Sequence, residues 1–462
     1  MSDKRSDALF HKRQSGYKTM PKAELEDMKT YCEGYKVFLD KGRTEREVVR
    51  YTVELAEARG YRPFQRGDSL KLGDKVYRVN RGKAIMLAVI GAEPLDQGVN
   101  IGAAHIDSPR LDLKPNPLIQ DSDFALFKTH YYGGIRKYQW VSIPLELRGV
   151  VAKKDGSVVD VQIGSEPGDP VLTIPDLLPH LADKQAKKPL WQAINGEDLN
   201  IMVGSQPYPD PDESDPVKLM VMDILNEKYG IVEEDFISAE LCATPAFPTA
   251  DVGLDRSMIG AYGQDDRVCS YAALKGLFAA EQKLKRTSVC MLADKEEIGS
   301  EGVTGMQSWA FDTFLSDLCD TQGVALKTCY ENSFCLSADV TAAFDPNYAS
   351  VYEKHNASYL NWGISLCKYT GARGKSGASD ASAEVVADVR KVMDEAGVLW
   401  HLAELGKVDA GGGGTVAHFM ANRNIDTLDA GTPVLAMHSP FEVTGKLDCY
   451  MTYKGMKAIF EA

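Results

Sequence analysis

Apolar residues along this chain recur in two rhythms. Four short runs are apolar without interruption: residues 100–104 (NIGAA), 288–293 (SVCMLA), 334–338 (FCLSA) and 433–437 (PVLAM). Runs of this length predict strands buried on both faces, as in a parallel α/β sheet, with a buried helical segment as the alternative that periodicity alone leaves open. Each run stops at a residue able to bind metal: the first at His105, the third at Asp339, the fourth at His438, and the second just before Glu296 and Glu297. Ligands of parallel sheets bind beyond the carboxyl ends of the strands. Two histidines and three carboxylates are therefore expected on one rim.

The second rhythm is helical. Residues 22–41 carry Leu25, Met28, Cys32, Tyr35, Phe38 and Leu39 at helical spacing, and Thr44-Glu45-Arg46-Glu47 is a capping box that opens a second helix ending near Gly60. Residues 75–80 and 83–91 read as strands joined around Asn80-Arg81-Gly82. A further helix is predicted from Gly263 to about Leu284 on Val268, Tyr271, Ala272, Leu274, Leu277 and Phe278, which puts Asp265 at its N-terminus.

Between these regions the pattern changes. From Lys114-Pro-Asn-Pro to about Leu241, alternating segments such as 141–151 and 158–163 are punctuated by Pro, Gly and Asp, which predicts a separate β-rich unit. The expected organisation is a catalytic domain from residues 1–108 and 242–462, interrupted by an insertion at 109–241 whose ends lie close together. Within the insertion, residues 204–215 (GSQPYPDPDESD) are too rich in Pro and acid to fold alone, and predict an exposed, mobile loop. They lack the ligand alternation and glycine of an EF-hand loop. The glycine run at 409–415 (DAGGGGT) has neither GKS nor GxGxxG spacing and reads as a tight turn with close packing.

Composition narrows the function. The chain has 462 residues, 44% hydrophobic and 26% charged, which fits a globular protein of more than one domain. Its net charge of −14 argues against a nucleic-acid or anionic-membrane partner. The N-terminal stretch MSDKRSDALFHKRQSGYK has no apolar core of a secretory signal, and the longest apolar run, 84–92, is too short to span a bilayer. Nine scattered cysteines without CxxC pairing suit reduced structural thiols in a cytoplasmic protein and exclude a Cys-ligated zinc finger.

The rim residues suit a pair of divalent metal ions, since imidazole and carboxylate ligands accept zinc, manganese or cobalt. A binuclear site needs a bridging carboxylate, for which Asp265 is the natural choice. His105 and Asp339 are then assigned to one ion, and Glu297 and His438 to the other. Asp107 is placed to accept the second ring N–H of His105 and fix its tautomer, or else is a simple turn carboxylate. Glu296, beside a ligand but not required as one, is the candidate general base.

These residues resemble the M18 family of aminopeptidases, whose best-known members are the aspartyl aminopeptidases, and in particular its bacterial branch. The resemblance covers nearly the whole chain. It rests on HIDSPRLDLKPNP from His105, YGG from Tyr132, YGQDDRVCSY from Tyr262, DKEEIGSEG from Asp294, SADV from Ser337, DPNY from Asp345 and LAMHSPFE from Leu435. It implies a peptide-cleaving exopeptidase with two zinc ions, an α/β catalytic domain, an inserted β-rich dimerisation domain, and a tetrahedral dodecamer built from dimers. Carried over residue by residue, His105, Asp265, Glu297, Asp339 and His438 are the metal ligands and Glu296 the base. The family's IPxLxxH pattern, here Ile174 to His180, implies that His180 reaches the active site of a neighbouring subunit. Lys368 is carried over as a substrate-binding residue. Acid-selective members have a histidine three residues after the ligand aspartate; this chain has Ala342, and residues 371–379 (GARGKSGAS) also depart from the usual form. A strong preference for acidic N-terminal residues is therefore not expected. Two other readings are an N-acyl amino acid deacylase of the same clan, which needs a carboxylate-binding arginine in the pocket, and a non-catalytic self-assembling shell protein, which would be expected to lack a ligand or the base.

Overall fold

The two helices expected near the start of the chain form as Lys22–Lys41 and Glu45–Glu57 in the computed structural model, which describes residues 5, 9–11, 13–210, 212–280 and 284–462. Parts of the N-terminal stretch read above as lacking a signal, and Pro211 in the acidic loop, lie outside the described residues. The capping box closes both ways: Glu47 N–H donates to Thr44 Oγ1 at 3.3 Å, and Thr44 N–H donates to Glu47 Oε2 at 2.9 Å.

The strands that carry the candidate ligands lie in a nine-stranded sheet. Across it the order is Arg62–Pro63, Lys75–Asn80, Ala84–Val89, Thr287–Ala293, Val99–His105, Phe334–Ser337, Asp426–Gly431, Ile364–Cys367 and Trp400–Leu402. The four strands from Thr287–Ala293 to Asp426–Gly431 are parallel, whereas Ala84–Val89 and Ile364–Cys367 join them antiparallel, so the sheet is mixed. Both faces are covered. Cys290 and Leu292 face an apolar cluster that includes Phe38, Leu274 and Phe460, while Val289 and Met291 face one built around Phe311, Phe314 and Leu318. This two-sided burial is why the strand residues are continuously apolar.

One expectation is corrected. The fourth run forms a strand only at Pro433–Leu435, and it belongs to a separate five-stranded sheet ordered Ala250–Val252, Met258–Ala261, Glu442–Gly445, Pro433–Leu435, Thr341–Ala342. An apolar run reports burial, not which sheet buries it. Ala436 and His438 both take positive φ, 55° and 64°, which ends the strand and turns His438 out of line. The helix opening at Gln264 stops at Ala279, short of Leu284.

Residues 110–245 supply a six-stranded, wholly antiparallel sheet ordered Val158–Ile163, Leu145–Ala152, Ala239–Pro245, Arg110–Asp121, Phe124–Tyr132, Ile201–Gly204. It has its own core, with Leu111, Phe127, Trp140, Leu147 and Phe236 buried together. The outgoing strand Arg110–Asp121 and the returning strand Ala239–Pro245 are neighbours, so the segment leaves and re-enters the α/β body at one place. The acidic stretch after Gly204 is largely exposed and leads into helix Pro216–Tyr229. All nine cysteines are free and buried. Among the described residues no helix is long and apolar enough to cross a membrane.

Candidate metal centre

Strand register brings the candidate ligands together. His105 ends its strand directly opposite Ala293, so the turn Glu296–Ile298 that follows Ala293 opens beside it. On the other flank Ser337 pairs with Ala103, and Asp339 lies two residues further on. Lys295 and Gly299, with φ of 68° and 97°, bracket the glutamate pair in left-handed conformations. Asp265 sits in the first turn of helix Gln264–Ala279, where its own dihedral angles and those of Asp266 are not yet helical.

Asp265 is the hub. One of its oxygens lies 3.1 Å from His105 Nε2 and the other 3.1 Å from His438 Nε2. His105 Nε2 is also 3.8 Å from Asp339 Oδ1 and 3.9 Å from Glu296 Oε2, and His438 Nε2 is 3.5 Å from Glu297 Oε1. The far ring nitrogens are fixed as well. His105 Nδ1 faces the Asp107 carbonyl at 3.0 Å and its carboxylate at 3.3 Å; His438 Nδ1 faces the Gly134 carbonyl at 2.9 Å. Such contacts set the tautomer that leaves Nε2 free for a ligand role.

Asp107 does more than orient a ring. Its two oxygens accept the backbone N–H groups of Glu296 and Glu297 at 3.1 and 3.2 Å, and Tyr132 donates its hydroxyl at 2.8 Å. Glu442 does the same on the opposite side, accepting the N–H groups of His438 at 2.7 Å and Asp265 at 3.1 Å. Asp107 was anticipated from its spacing to His105. Glu442, Tyr132 and Gly134 were not singled out, although each lies in a quoted sequence run; backbone-directed roles leave no signature of residue type.

The cluster demands positive charge. Burial pushes Glu296 up to about 7 and lifts Glu297 and Asp339 well above the carboxylate range. Burial also works against an ionised Asp265, yet the hydrogen bonds from His105 and His438 hold it below that range. His438 is desolvated too, but its bond to Asp265 and the charge of Glu297 raise it to about 10. Glu297 Oε1 is buried without a hydrogen-bond donor. Two overlapping sets, His105 with Glu296 and Asp339 and His105 with Asp265 and Glu297, bring their ligand atoms within 4.8 Å of one another. A buried, under-neutralised array of carboxylate oxygens and imidazole nitrogens fits divalent metal.

The cluster opens into a cleft of about 430 Å³ whose walls include Thr341, Cys367, Tyr369, Met437 and the glycines Gly411 to Gly414. The glycine run is packed closely at one end, where a Cβ on Gly411 would lie 2.0 Å from the Leu405 carbonyl, while Gly413 and Gly414 face open space. Lys368 does not line this cleft. Cys367 and Tyr369 on either side of it do, whereas the Lys368 side chain is exposed. The cations of the cleft are instead Arg373, Lys375 and Lys407, all on exposed loops at its mouth. His180 sits exposed in the turn Pro179–Leu181 and lines no part of this chain's own cleft.

A mixed α/β sheet with an imidazole–carboxylate cluster at the carboxyl ends of its parallel strands defines the class of metal-dependent hydrolases. Within that class the chain belongs to the Aminopeptidase I zinc metalloprotease (M18) family, whose sequence profile matches residues 38–460. It is 48% identical over 443 residues to the "Probable M18 family aminopeptidase 1" of Clostridium acetobutylicum, covering 94% of this chain and 95% of that one. The crystal structure of an M18 family aminopeptidase from Thermotoga maritima superimposes with a TM-score of 0.94 at 45% identity, covering 98% of this chain and all of that one. The mApe1 dodecamer of S. cerevisiae shares the fold at 22% identity, with a TM-score of 0.75 over 93% of this chain and 95% of that one. The chain is a metallo-aminopeptidase.

Proposed function

We propose that the enzyme removes N-terminal residues from peptides with two divalent ions, zinc in the first instance, bridged by Asp265. His105 and Asp339 complete one position, and Glu297 and His438 the other. The observation that carries this reading is the reach of Asp265, whose two oxygens each meet a different histidine at 3.1 Å. When bound, the ions supply Lewis acidity toward the scissile carbonyl and the attacking water. Glu296 takes the proton of that water and returns it to the leaving amine. Asp107 holds Glu296 and Glu297 in place through their backbone N–H groups.

The inserted sheet serves as a dimerisation domain in this reading, and the dimers assemble further into a dodecamer in the cytoplasm. Its support is the run of exposed apolar residues in the segment that carries His180, where Leu177, Leu178, Leu181, Leu190 and Trp191 are 47, 49, 67, 51 and 71% exposed. His180 then completes the partner's active site. A deacylase would hold its substrate's carboxylate on a pocket arginine, and the one candidate among the cleft-lining residues, Arg373, lies at the exposed mouth. The test is metal removal by a chelator followed by add-back of zinc, manganese or cobalt, assayed on aminoacyl amides and N-acyl amino acids. Restored cleavage of the amides alone is expected. Asp265→Ala should empty both positions; two ions per subunit in that variant would exclude Asp265 as the bridge.

A further inference from the structure

Glu442 ends up at the junction of three elements without belonging to the proposed ligand set. It is the first residue of strand Glu442–Gly445 in the small sheet and is 1% exposed. Its carboxylate reaches back to the N–H of His438 at 2.7 Å, and across to the N–H of Asp265 in the first turn of helix Gln264–Ala279 at 3.1 Å. The side chains of these same two residues meet, His438 Nε2 to Asp265 Oδ2, at 3.1 Å. Backbone and side chain therefore close a ring through Glu442. The Gly134 carbonyl holds the His438 ring and Glu442 its backbone, a support His438 needs because it follows a strand outside the nine-stranded sheet that registers His105 and the turn carrying Glu297.

From this geometry we infer that Glu442 is the positioning residue for the ion position shared by Asp265, Glu297 and His438, as Asp107 is for the side that includes His105. The inference rests on the two-ion reading proposed above. A carboxylate is required because each oxygen faces an N–H donor. Glutamine keeps the shape but offers one carbonyl oxygen, so its amide N–H₂ must face the other backbone N–H. One donor is left unsatisfied, and either His438 or Asp265 shifts. His105 and Asp339 make no hydrogen bond with Glu442: a shift of His438 loosens only the position it shares with Glu297, while a shift of Asp265 also reaches the other position through the bridge.

The experiment follows the release of ions from wild type and Glu442→Gln, with a chromophoric chelator in excess. Wild type is expected to release two ions per subunit in separable phases. In Glu442→Gln the phase of the ion held by His438 should accelerate about 10–100-fold, the scale on which groups that orient metal ligands act, while the other accelerates less, through Asp265 alone. Saturating metal should recover kcat with KM little changed, which a general loss of structure would not allow. Glu442→Asp retains two oxygens at shorter reach, and serves if the glutamine variant does not fold; its accelerated phase should lie between the two. Two ions leaving either variant at wild-type rates would overturn the positioning role alone. Release of a single ion by wild type would instead overturn the two-ion reading, and this inference with it.

Discussion

Glu296 and Glu297 are adjacent in sequence and differ in what surrounds them. Both border the cleft, but the Glu297 side chain is 3% exposed and turned toward His438, whereas Glu296 is 18% exposed. A group that exchanges a proton with substrate needs that access, which is why the base assignment falls on Glu296. Glu296→Gln should lower kcat by about 10²–10⁴, the range for loss of a general base, with metal content unchanged. A fully metallated variant turning over at nearly the wild-type rate would sink the assignment. The same cleft bears on specificity. Arg373 and Lys407 stand at its solvated mouth, where charge pairing is worth little, and Thr341, Cys367 and Met437 on its walls carry no charge. The kcat/KM ratio of aspartyl or glutamyl over leucyl substrates is expected to stay below about 10², and a larger ratio would show that the rim cations suffice. At this scale the sequence was informative wherever a candidate ligand closes an apolar run, as at His105 and Asp339, whose side chains the fold brings within 3.8 Å. Lys368, carried over from the family resemblance, follows the strand Ile364–Cys367 between Cys367 and Tyr369, which line the cleft, and its own side chain is exposed.

The elements were legible to the extent that their burial is uniform. Continuous apolar runs marked the central strands, and the helical spacing before Lys41 marked its helix to the residue. Sheet membership was hidden, since Pro433–Leu435 is as apolar as Phe334–Ser337 yet pairs with Glu442–Gly445 and Thr341–Ala342. That small sheet is tied to the helices by charge. Asp251, on strand Ala250–Val252 and 11% exposed at its side chain, lies 2.8 Å from Lys446 Nζ, 3.1 Å from Lys36 Nζ and 3.0 Å from Arg256 Nε. Burial opposes its charge, but the bonds from Lys446 and Lys36 prevail and bring it down to about 2. Because the folded-state value is depressed, the resulting stability is present above the unfolded value near pH 4 and is lost as pH falls through 2. Asp251→Asn should therefore cost about 2 kcal/mol at pH 6 and roughly half of that at pH 3, read as the difference from wild type in urea unfolding of the metal-free proteins. A difference that does not narrow over this range would assign the cost to packing rather than to ionisation.

On the scale of the whole molecule, the insertion is the part whose purpose a single chain does not explain. Its sheet returns to the body beside the strand that left it, and the segment that carries His180 exposes Leu177, Leu178 and Leu181, with Leu190 and Trp191 exposed further along the chain. An apolar surface of that kind in a chain of net charge −14 is expected to be covered by a partner. Gly134, whose carbonyl holds the His438 ring, lines both the catalytic cleft and the neighbouring hollow formed by Tyr131, Tyr138, Leu190 and Trp191. A second copy docked on this face would thus sit next to the metal cluster, and its His180 could donate to the oxyanion that develops on the scissile carbonyl. The prediction is one of complementation. Subunits carrying His180→Ala lack the group they would lend, and subunits carrying Glu296→Gln lack the base in their own cleft. Each variant alone should be nearly inactive. In a mixed dimer the His180→Ala chain keeps its own Glu296 and receives an intact His180 from the Glu296→Gln chain, so one of the two sites is whole. Co-refolding equal amounts makes half of the dimers mixed if pairing is random, each with one working site of two, so total activity should return to about a quarter of wild type, with KM unchanged because the restored site is native. If mixed dimers are shown to form, for example by differently tagged chains co-purifying, and activity does not return, then the sites are not shared and His180 is a surface histidine.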